Sequence, residues 1–322
     1  MTPPAVTVVV PCWEAGATLP ATLDSLRAQT FADLEILVVD DGSMRDPVRD
    51  VPADPRIVVD RLPVNGGYAA VTNHALRRAR GRWVTFVDAD DVVSPGYVGT
   101  MLAAGRRHDA DLVLAPLMAV RGGREIGTLP FAVDGAVIDA REACRRGVRG
   151  RLVLSQHALF RRPMPEAVEG LTFNDFILVL DHLARSRRVA LVHEPLYRYA
   201  VHEGSATGSL RASVWELRDL PTHATAAIEA LFGPDRAPEV HAELEQYVIT
   251  QMLHKASRDG GDSRLSRDVH AWCRRRIGPR GIWRALRRRD VTTAGSWLLA
   301  LCGRSTHVLA YRAYDRRKSA DR

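Results

Sequence analysis

Arg82-Trp83-Val84-Thr85-Phe86-Val87-Asp88-Ala89-Asp90-Asp91 is the stretch whose reading decides the fold. Residues 82–87 form a β-branched and aromatic run, which reads as a buried strand. The strand ends in three carboxylates. Their mutual repulsion is costly without a counter-charge. A hard divalent cation, Mn²⁺ or Mg²⁺, supplies one, because it takes oxygen ligands and bridges one or two protein carboxylates to substrate phosphates. The plain alternative is a solvated turn with helix-capping aspartates, since a bare D-x-D is a common sequence.

Working outward, a second acidic strand end lies about fifty residues upstream. Residues 34–39 read as a strand, and it stops at Asp40-Asp41-Gly42-Ser43. A carboxylate there can accept hydrogen bonds from the ring N–H and the amino or hydroxyl groups of a nucleoside. Residues 6–11 and 56–60 read as further strands. Leu19, Leu23 and Leu26 fall at helical spacing over 18–29, with Thr18 at the N-cap. A second helix spans about 69–79 and follows the loop Asn65-Gly66-Gly67. Alternating strands and helices predict an α/β fold: a mostly parallel sheet with helices on both faces. Ligands of such sheets bind beyond the carboxyl ends of the strands, where both acidic clusters fall. Beyond residue 110 the pattern loosens. Strands are expected at 111–116, 152–160, 188–192 and 196–200, and a helix at 175–186. From about 212 the chain reads as helices, with a break at 259–264. This divides the chain into 1–210 and a helical, basic C-terminal region, 211–322.

Taken together, Pro11-Cys12-Trp13, Leu23-Asp24-Ser25-Leu26, Val39-Asp40-Asp41-Gly42-Ser43, Asn65-Gly66-Gly67, Asn73 and Phe86-Val87-Asp88-Ala89-Asp90-Asp91 resemble, in order and spacing, the family 2 inverting glycosyltransferases of the GT-A fold. The resemblance covers roughly residues 5–210. It implies a Rossmann-like GT-A domain that moves a sugar from a nucleotide-diphosphate sugar to an acceptor hydroxyl. Its donor pocket would be lined by Pro11, Trp13, Glu14, Asp40, Asp41, Asn65, Gly67, Asn73, Asp88, Ala89, Asp90 and Asp91. Asp40 would read the nucleobase, and Asp88 and Asp90 would hold a divalent metal on the diphosphate. Asp175, in Asn174-Asp175, would be the catalytic base. A helix N-terminal carboxylate favoured by the dipole is the plain alternative for it. His202 and Ser205, after the strand 196–200, would contact the metal or the diphosphate, or His202 is a surface imidazole.

Three positions depart from the family pattern. Trp13-Glu14 stands where many relatives have Tyr-Asn, Thr72 where an Arg often precedes Asn73, and Asn174 where a Glu is usual. No Gln-x-x-Arg-Trp motif follows, which speaks against a processive synthase. Two rival readings stay open. One is a catalytically degenerate nucleotide-binding or envelope-partner protein of the same fold. The other is a sugar-phosphate nucleotidyltransferase, which would usually carry a Gly-rich basic loop where this chain has Pro11-Cys12-Trp13-Glu14. A dehydrogenase is disfavoured, because no G-x-G-x-x-G follows the first strand.

The net charge of +7 is unevenly spread. Cys273 to Arg322 holds fourteen Arg and Lys against three Asp, so the tail alone carries +11 and the rest is acidic. Eight arginines fall within 273–289, interleaved with Ile277, Ile282, Trp283 and Leu286. A basic amphipathic helix beside aromatics suits an anionic membrane surface or a lipid-phosphate acceptor. A solvated basic face is the plain alternative. No nucleic-acid motif accompanies the charge. The region is open to three uses: membrane contact, acceptor binding, or pairing in a homo-oligomer. The acceptor is expected to be a glycan, a lipid-linked sugar or a polyol phosphate. No apolar run reaches 18 residues, and Met1 to Val10 lacks a basic n-region and cleavage site. Cys12, Cys144, Cys273 and Cys302 show no paired spacing. The expected setting is therefore cytoplasmic, including the inner face of the membrane.

Overall fold

The computed structural model describes residues 2–47, 53–171, 173–202, 210–258 and 263–320, with side chains described to 313. Contacts divide the chain into two compact units, Met1–Ala200 with Ala224–Ala237, and Val201–His223 with Pro238–Arg322.

The first unit opens with β1 (Val6–Cys12), α1 (Leu19–Arg27), β2 (Leu34–Asp40), β3 (Ile57–Arg61), α2 (Tyr68–Arg78), β4 (Trp83–Phe86) and β5 (Val92–Val93). It continues with α3 (Tyr97–Arg107), β6 (Leu112–Leu114), β7 (Leu117–Arg121), β8 (Arg124–Thr128), β9 (Val137–Asp139) and α4 (Ala140–Val148). β10 (Leu159–Arg161), α5 (Asn174–Leu183), β11 (Arg188–Leu191) and β12 (Tyr197–Ala200) follow. After α6 (Leu220–His223) in the second unit, α7 (Thr225–Phe232) returns to the first. There Arg141 Nε donates to the Leu231 carbonyl at 2.5 Å, and the Arg145 guanidinium lies over the Phe232 ring.

Eight strands form the main sheet in the order β3-β2-β1-β4-β10-β6-β11-β9. The half that carries both acidic clusters, β3-β2-β1-β4, is wholly parallel. β1 (VTVVVPC) and β4 (WVTF) contain no charged residue and are buried along their whole length, as strands covered on both faces must be. β3 is the edge strand and is half-exposed. The chain winds outward from β1 through β2 to β3, then crosses to the other side of β1 to lay down β4. That reversal opens a crevice beyond the carboxyl ends of β1 and β4, the place where open α/β sheets hold ligands. Pro11 sits in β1 without breaking a ladder. Val9 accepts from Val87 N on the β4 side, and Pro11, two residues on, faces that side past the end of β4.

A second sheet, β5-β12-β7-β8, begins immediately after the second acidic cluster. β5 pairs with β12 so that Tyr197 lies opposite Val93. This ladder brings the 197–200 segment beneath residues 88–91. Among the largest enclosed side chains of the unit, Trp83, Tyr97 and Tyr197 share one core cluster, while Phe160 packs edge-on against His182 of α5.

Two strand expectations need correction. Within 152–160 only residues from Leu159 onward join the sheet, and the preceding segment forms a loop whose Leu152 and Leu154 are buried. The run 111–116 shortens to β6, because Leu117 starts a strand of the other sheet. The helix α3 went unread in the sequence.

The second unit is helical. A 3₁₀ helix (Ala212–Asp219) and α6 precede α8 (Ala237–Arg258), α9 (Arg264–Arg276), α10 (Pro279–Arg287), α11 (Val291–Cys302) and α12 (Arg304–Ala320). The expected break at 259–264 falls mainly outside the described residues. Cys12, Cys144 and Cys273 are buried free thiols, and Cys302 is an exposed one. Among the described residues no helix is long and apolar enough to cross a membrane.

Candidate active site

The turn after β2 is built by its own carboxylates. Asp40 is fully enclosed and accepts from Ser43 N at 3.2 Å and Ser43 Oγ at 2.6 Å. Arg61 Nε approaches its other oxygen at 3.2 Å, without hydrogen-bond alignment. Arg61 also donates to the Ser43 carbonyl. Asp41 reaches across to the next loop and accepts from Gly66 N at 2.8 Å and Gly67 N at 2.9 Å. Gly42 sits at φ +66, and a Cβ there would lie 2.7 Å from the Val64 carbonyl carbon. Only glycine fits both the conformation and the space. Glu14, at φ +51, donates its N–H to Ser43 Oγ at 2.8 Å, and its carboxylate accepts from Met44 N at 2.6 Å. Trp13 is 60% exposed beside this turn. Ser43 thus links Glu14 to Asp40, and Asp41 ties the same turn to Gly67, with Pro11 and Trp13 on the chain leading into Glu14. Asn65 is exposed on the same loop as Gly67.

Beyond β4 the residues alternate. Asp88 and Asp90 are partly open, whereas Ala89 and Asp91 point inward. Asp91 is an anchor. Its two oxygens accept from Tyr197 Oη and Ala200 N, both at 2.6 Å, and its carbonyl accepts from Thr22 Oγ1 at 2.7 Å. Burial first, and the Asp88 charge second, push the Asp91 carboxyl up to about 7. Tyr197 Oη also accepts from Asp88 N at 3.1 Å, so one phenol ties both aspartates to β12.

His157 is the site residue that sequence reasoning missed. It comes from the loop before β10, and its Nε2 lies 3.3 Å from Asp88 Oδ2. Tyr68, the first residue of α2, donates to Asp88 Oδ1 at 3.1 Å. His157 also packs on the Tyr197 ring at a centroid distance of 4.4 Å. Burial opposes the charged forms of Asp88 and His157. Their mutual attraction and hydrogen bonding outweigh it, so the Asp88 carboxyl is held below its ordinary range and the His157 imidazole above. One ligand atom from each of Asp88, Asp91 and His157 lies within 4.8 Å of the others. Asp90 and His202 are not in this trio. His202 is exposed and belongs to the second unit. Ser205 lies outside the described residues.

Asp175 opens α5 in its first turn. Burial raises its carboxyl above the ordinary carboxylate range, and the charges of His157 and Asp88 both bear on it. The structure therefore gathers β4, the 155–157 loop and the head of α5 into one electrostatic cluster. Asn73 shows how α5 is aimed. Its amide donates to the Ala167 carbonyl at 3.0 Å and to Glu169 at 3.2 Å, and it accepts from Ala167 N at 2.7 Å. Asn73 so pins the approach to α5 against α2. Thr72 is buried, with no partner for its hydroxyl among the described residues.

A parallel half-sheet whose switch point carries an acidic turn after β2 and an Asp-x-Asp end after β4 defines the GT-A class of sugar-transfer folds. The fold agrees with solved structures. TarS of Staphylococcus aureus, residues 1–349, superposes with a TM-score of 0.61 at 17% identity, covering 96% of this chain and 91% of that one. The mannosyltransferase PcManGT of Pyrobaculum calidifontis matches with a TM-score of 0.52 at 16% identity, covering 97% and 86%. In sequence, residues 7–152 match the profile of glycosyl transferase family 2. The glycosyltransferase GlyG of Streptococcus pneumoniae is 32% identical over 218 residues, 62% of this chain and 72% of that protein. The succinoglycan biosynthesis protein ExoO of Rhizobium meliloti is 29% identical over 232 residues, 65% of this chain and 64% of its own length. The chain belongs to glycosyltransferase family 2, and it is a glycosyltransferase.

Proposed function

We propose that this enzyme transfers a sugar, with inversion at the anomeric carbon, from a nucleoside-diphosphate sugar to an acceptor hydroxyl during synthesis of a cell-envelope polysaccharide, glycolipid or glycoconjugate. The observation that carries the proposal is the placement of Asp175 at the head of α5, within the electrostatic reach of Asp88 and His157. The names of similar proteins support the substrate class. ExoO is named for succinoglycan biosynthesis, TarS has been solved with UDP-GlcNAc, and PcManGT with GDP-Man and Mn²⁺.

The Asp40–Asp41 turn and the exposed Trp13 form the nucleoside end. The N-terminus of α2, whose first residue Tyr68 reaches Asp88, suits the diphosphate, because helix N-termini favour anions. The donor set fits a divalent cation. Asp88 is held ionised, each carboxylate oxygen keeps a second lone pair, and Asp90 is open beside it. Asp88 and Asp90 would hold the ion, with His157 beside Asp88. When bound, it supplies positive charge to the departing diphosphate. Asp175 accepts the proton of the acceptor hydroxyl as that oxygen forms its bond to the anomeric carbon. The bond to the diphosphate oxygen breaks with its electron pair. A carboxylate raised by burial is a stronger base than one in water, which suits this task. Asp91 and Asn73 position the machinery.

The test is a thermal-shift panel of UDP, GDP, CDP and dTDP, each with and without Mn²⁺. A ligand that binds only the folded state adds about 2.7 kcal/mol at a hundredfold excess over Kd. A shift with one nucleotide, enhanced by Mn²⁺ and lost in Asp90→Ala, is expected. No shift with any of the four, for folded protein, would sink the proposal.

A further inference from the structure

The second unit carries an exposed apolar surface that holds none of the candidate active-site residues. Ten large apolar side chains are exposed among the described residues, and six of them fall between 283 and 309. They are Trp283 and Leu286 on α10, Val291, Leu298 and Leu301 on α11, and Leu309 on α12. The geometry explains why they face out. α10 turns Gly281 toward α11, where a Cβ would lie 2.5 Å from the ring of the buried Trp297. The opposite arc of α10 then holds Arg280, Trp283, Leu286 and Arg287, which fall within about 120° at 3.6 residues per turn. The guanidinium of Arg287 sits 5.2 Å from the Trp283 ring centroid.

α11 (VTTAGSWLLALC) contains no charged residue at all. Its outward side, with Val291 at 69% and Leu298 at 48% exposure, is still apolar. A solvated helix has no reason for that pattern. The surrounding charge has one sign. Residues 273–313 contain ten arginines and a single acid, Asp290. That acid caps α11, accepting from Thr293 N at 3.1 Å. Arg280, Arg287 and Arg289 are exposed around the apolar residues.

We propose that the α10–α11 face of the second unit docks on an anionic lipid bilayer, with Trp283, Leu286 and Leu298 entering the headgroup boundary and the arginines meeting lipid phosphates. Aliphatic and tryptophan side chains enclosed by arginine, without acidic residues, match such an interface in both charge and polarity. A nucleic acid would use the arginines and leave the leucines unexplained. No helix here spans the bilayer, so the contact lies in its plane. The face would hold the enzyme where lipid-linked acceptors reside.

The test is co-sedimentation of the full-length protein with phosphatidylcholine vesicles, with and without phosphatidylglycerol. Binding is expected only with the anionic lipid, weakened by raised salt and accompanied by a blue shift of tryptophan emission that Trp283→Ser removes. Trp283→Ser/Leu298→Ser should lower vesicle affinity at least tenfold. Arg280→Gln/Arg287→Gln/Arg289→Gln should do the same by a separate route. All these side chains are exposed, and both variants should keep the wild-type helical circular dichroism and melting temperature. Absence of binding to anionic vesicles overturns the proposal. So does binding that neither folded variant weakens, or a concentration-dependent dimer that both variants abolish while vesicle binding persists.

Discussion

Asp175 is the base of the proposed mechanism, so it carries the sharpest prediction. Asp175→Asn keeps the shape of the α5 head and removes the base. Turnover is expected to fall by roughly 10²–10⁴-fold, the usual worth of general-base help. The nucleotide-induced thermal shift should remain, and loss of both together would place Asp175 in the donor pocket instead. Asn73 acts one step removed. Asn73→Ala strips the Asn73 Oδ1 acceptor from Ala167 N, a buried amide, and should destabilise the fold by about 1–3 kcal/mol. Urea unfolding measures this, and kcat should fall more than donor KM rises, because the loop leading to α5 loosens. Residue order singled out Asp175 at the start of a helix past residue 174, and the structure places it in the first turn of α5. His157 was not legible, because proximity of a loop to a strand end is a tertiary fact. The available signal was the polar run Ser155-Gln156-His157 inside an otherwise apolar segment.

At the scale of elements, the β2 turn is the most constrained piece. Gly42→Ala forces a Cβ into the Val64 backbone at a positive φ. The left-handed conformation alone costs about 1–2 kcal/mol for a residue with a Cβ, and the clash adds to it. A lowered urea midpoint and a weakened nucleotide shift are expected together, since Asp41 hangs from the same turn. An unchanged midpoint would mean that the loop relaxes freely. Strands β1 and β4 could be read because uncharged β-branched runs have few other uses, and β2 because of its apolar run Ile36–Val39. The β7–β8 hairpin escaped reading, although Gly122 and Gly123 both adopt positive φ, as a two-residue hairpin turn requires. The helix α3 escaped because Gly99, Ala103, Ala104 and Gly105 dilute its apolar period. Its buried Val98, Met101, Leu102 and Gly105 do keep helical spacing.

At the scale of the whole molecule, the second unit holds a buried histidine pair that answers to pH. In the second unit Ser257 Oγ lies 3.0 Å from His307 Nδ1 and 3.4 Å from His270 Nε2, with Ser296 Oγ 2.9 Å from His307 Nε2. Burial lowers both imidazoles to about 4, and His270 is further depressed by His307, Arg304 and Arg274. Between the ordinary histidine value near 6.5 and about 4, the unfolded chain therefore binds more protons than the folded one. Stability is full above that window and falls as pH drops through it. Melting temperatures across the window should show this loss, and His307→Gln should flatten the slope. A slope unchanged in that variant would assign the acid sensitivity elsewhere.

The sequence by itself determined the parallel half-sheet, the acidic strand ends, the helix headed by Asp175 and the segregation of charge into the tail. Each of these is written in local pattern, periodicity or residue order. Only the tertiary structure decided which carboxylates face the crevice and which are spent as anchors. Asp91 and Asp90 are neighbours in the chain, yet one is tied to Tyr197 and Ala200 while the other is open. The structure also decided that His157 and Tyr68 meet Asp88, and that the leucines of α11 face outward. The reason is physical: a site of this kind is assembled from strand ends and loops far apart in sequence. Their meeting depends on sheet order and helix packing, which no local pattern encodes.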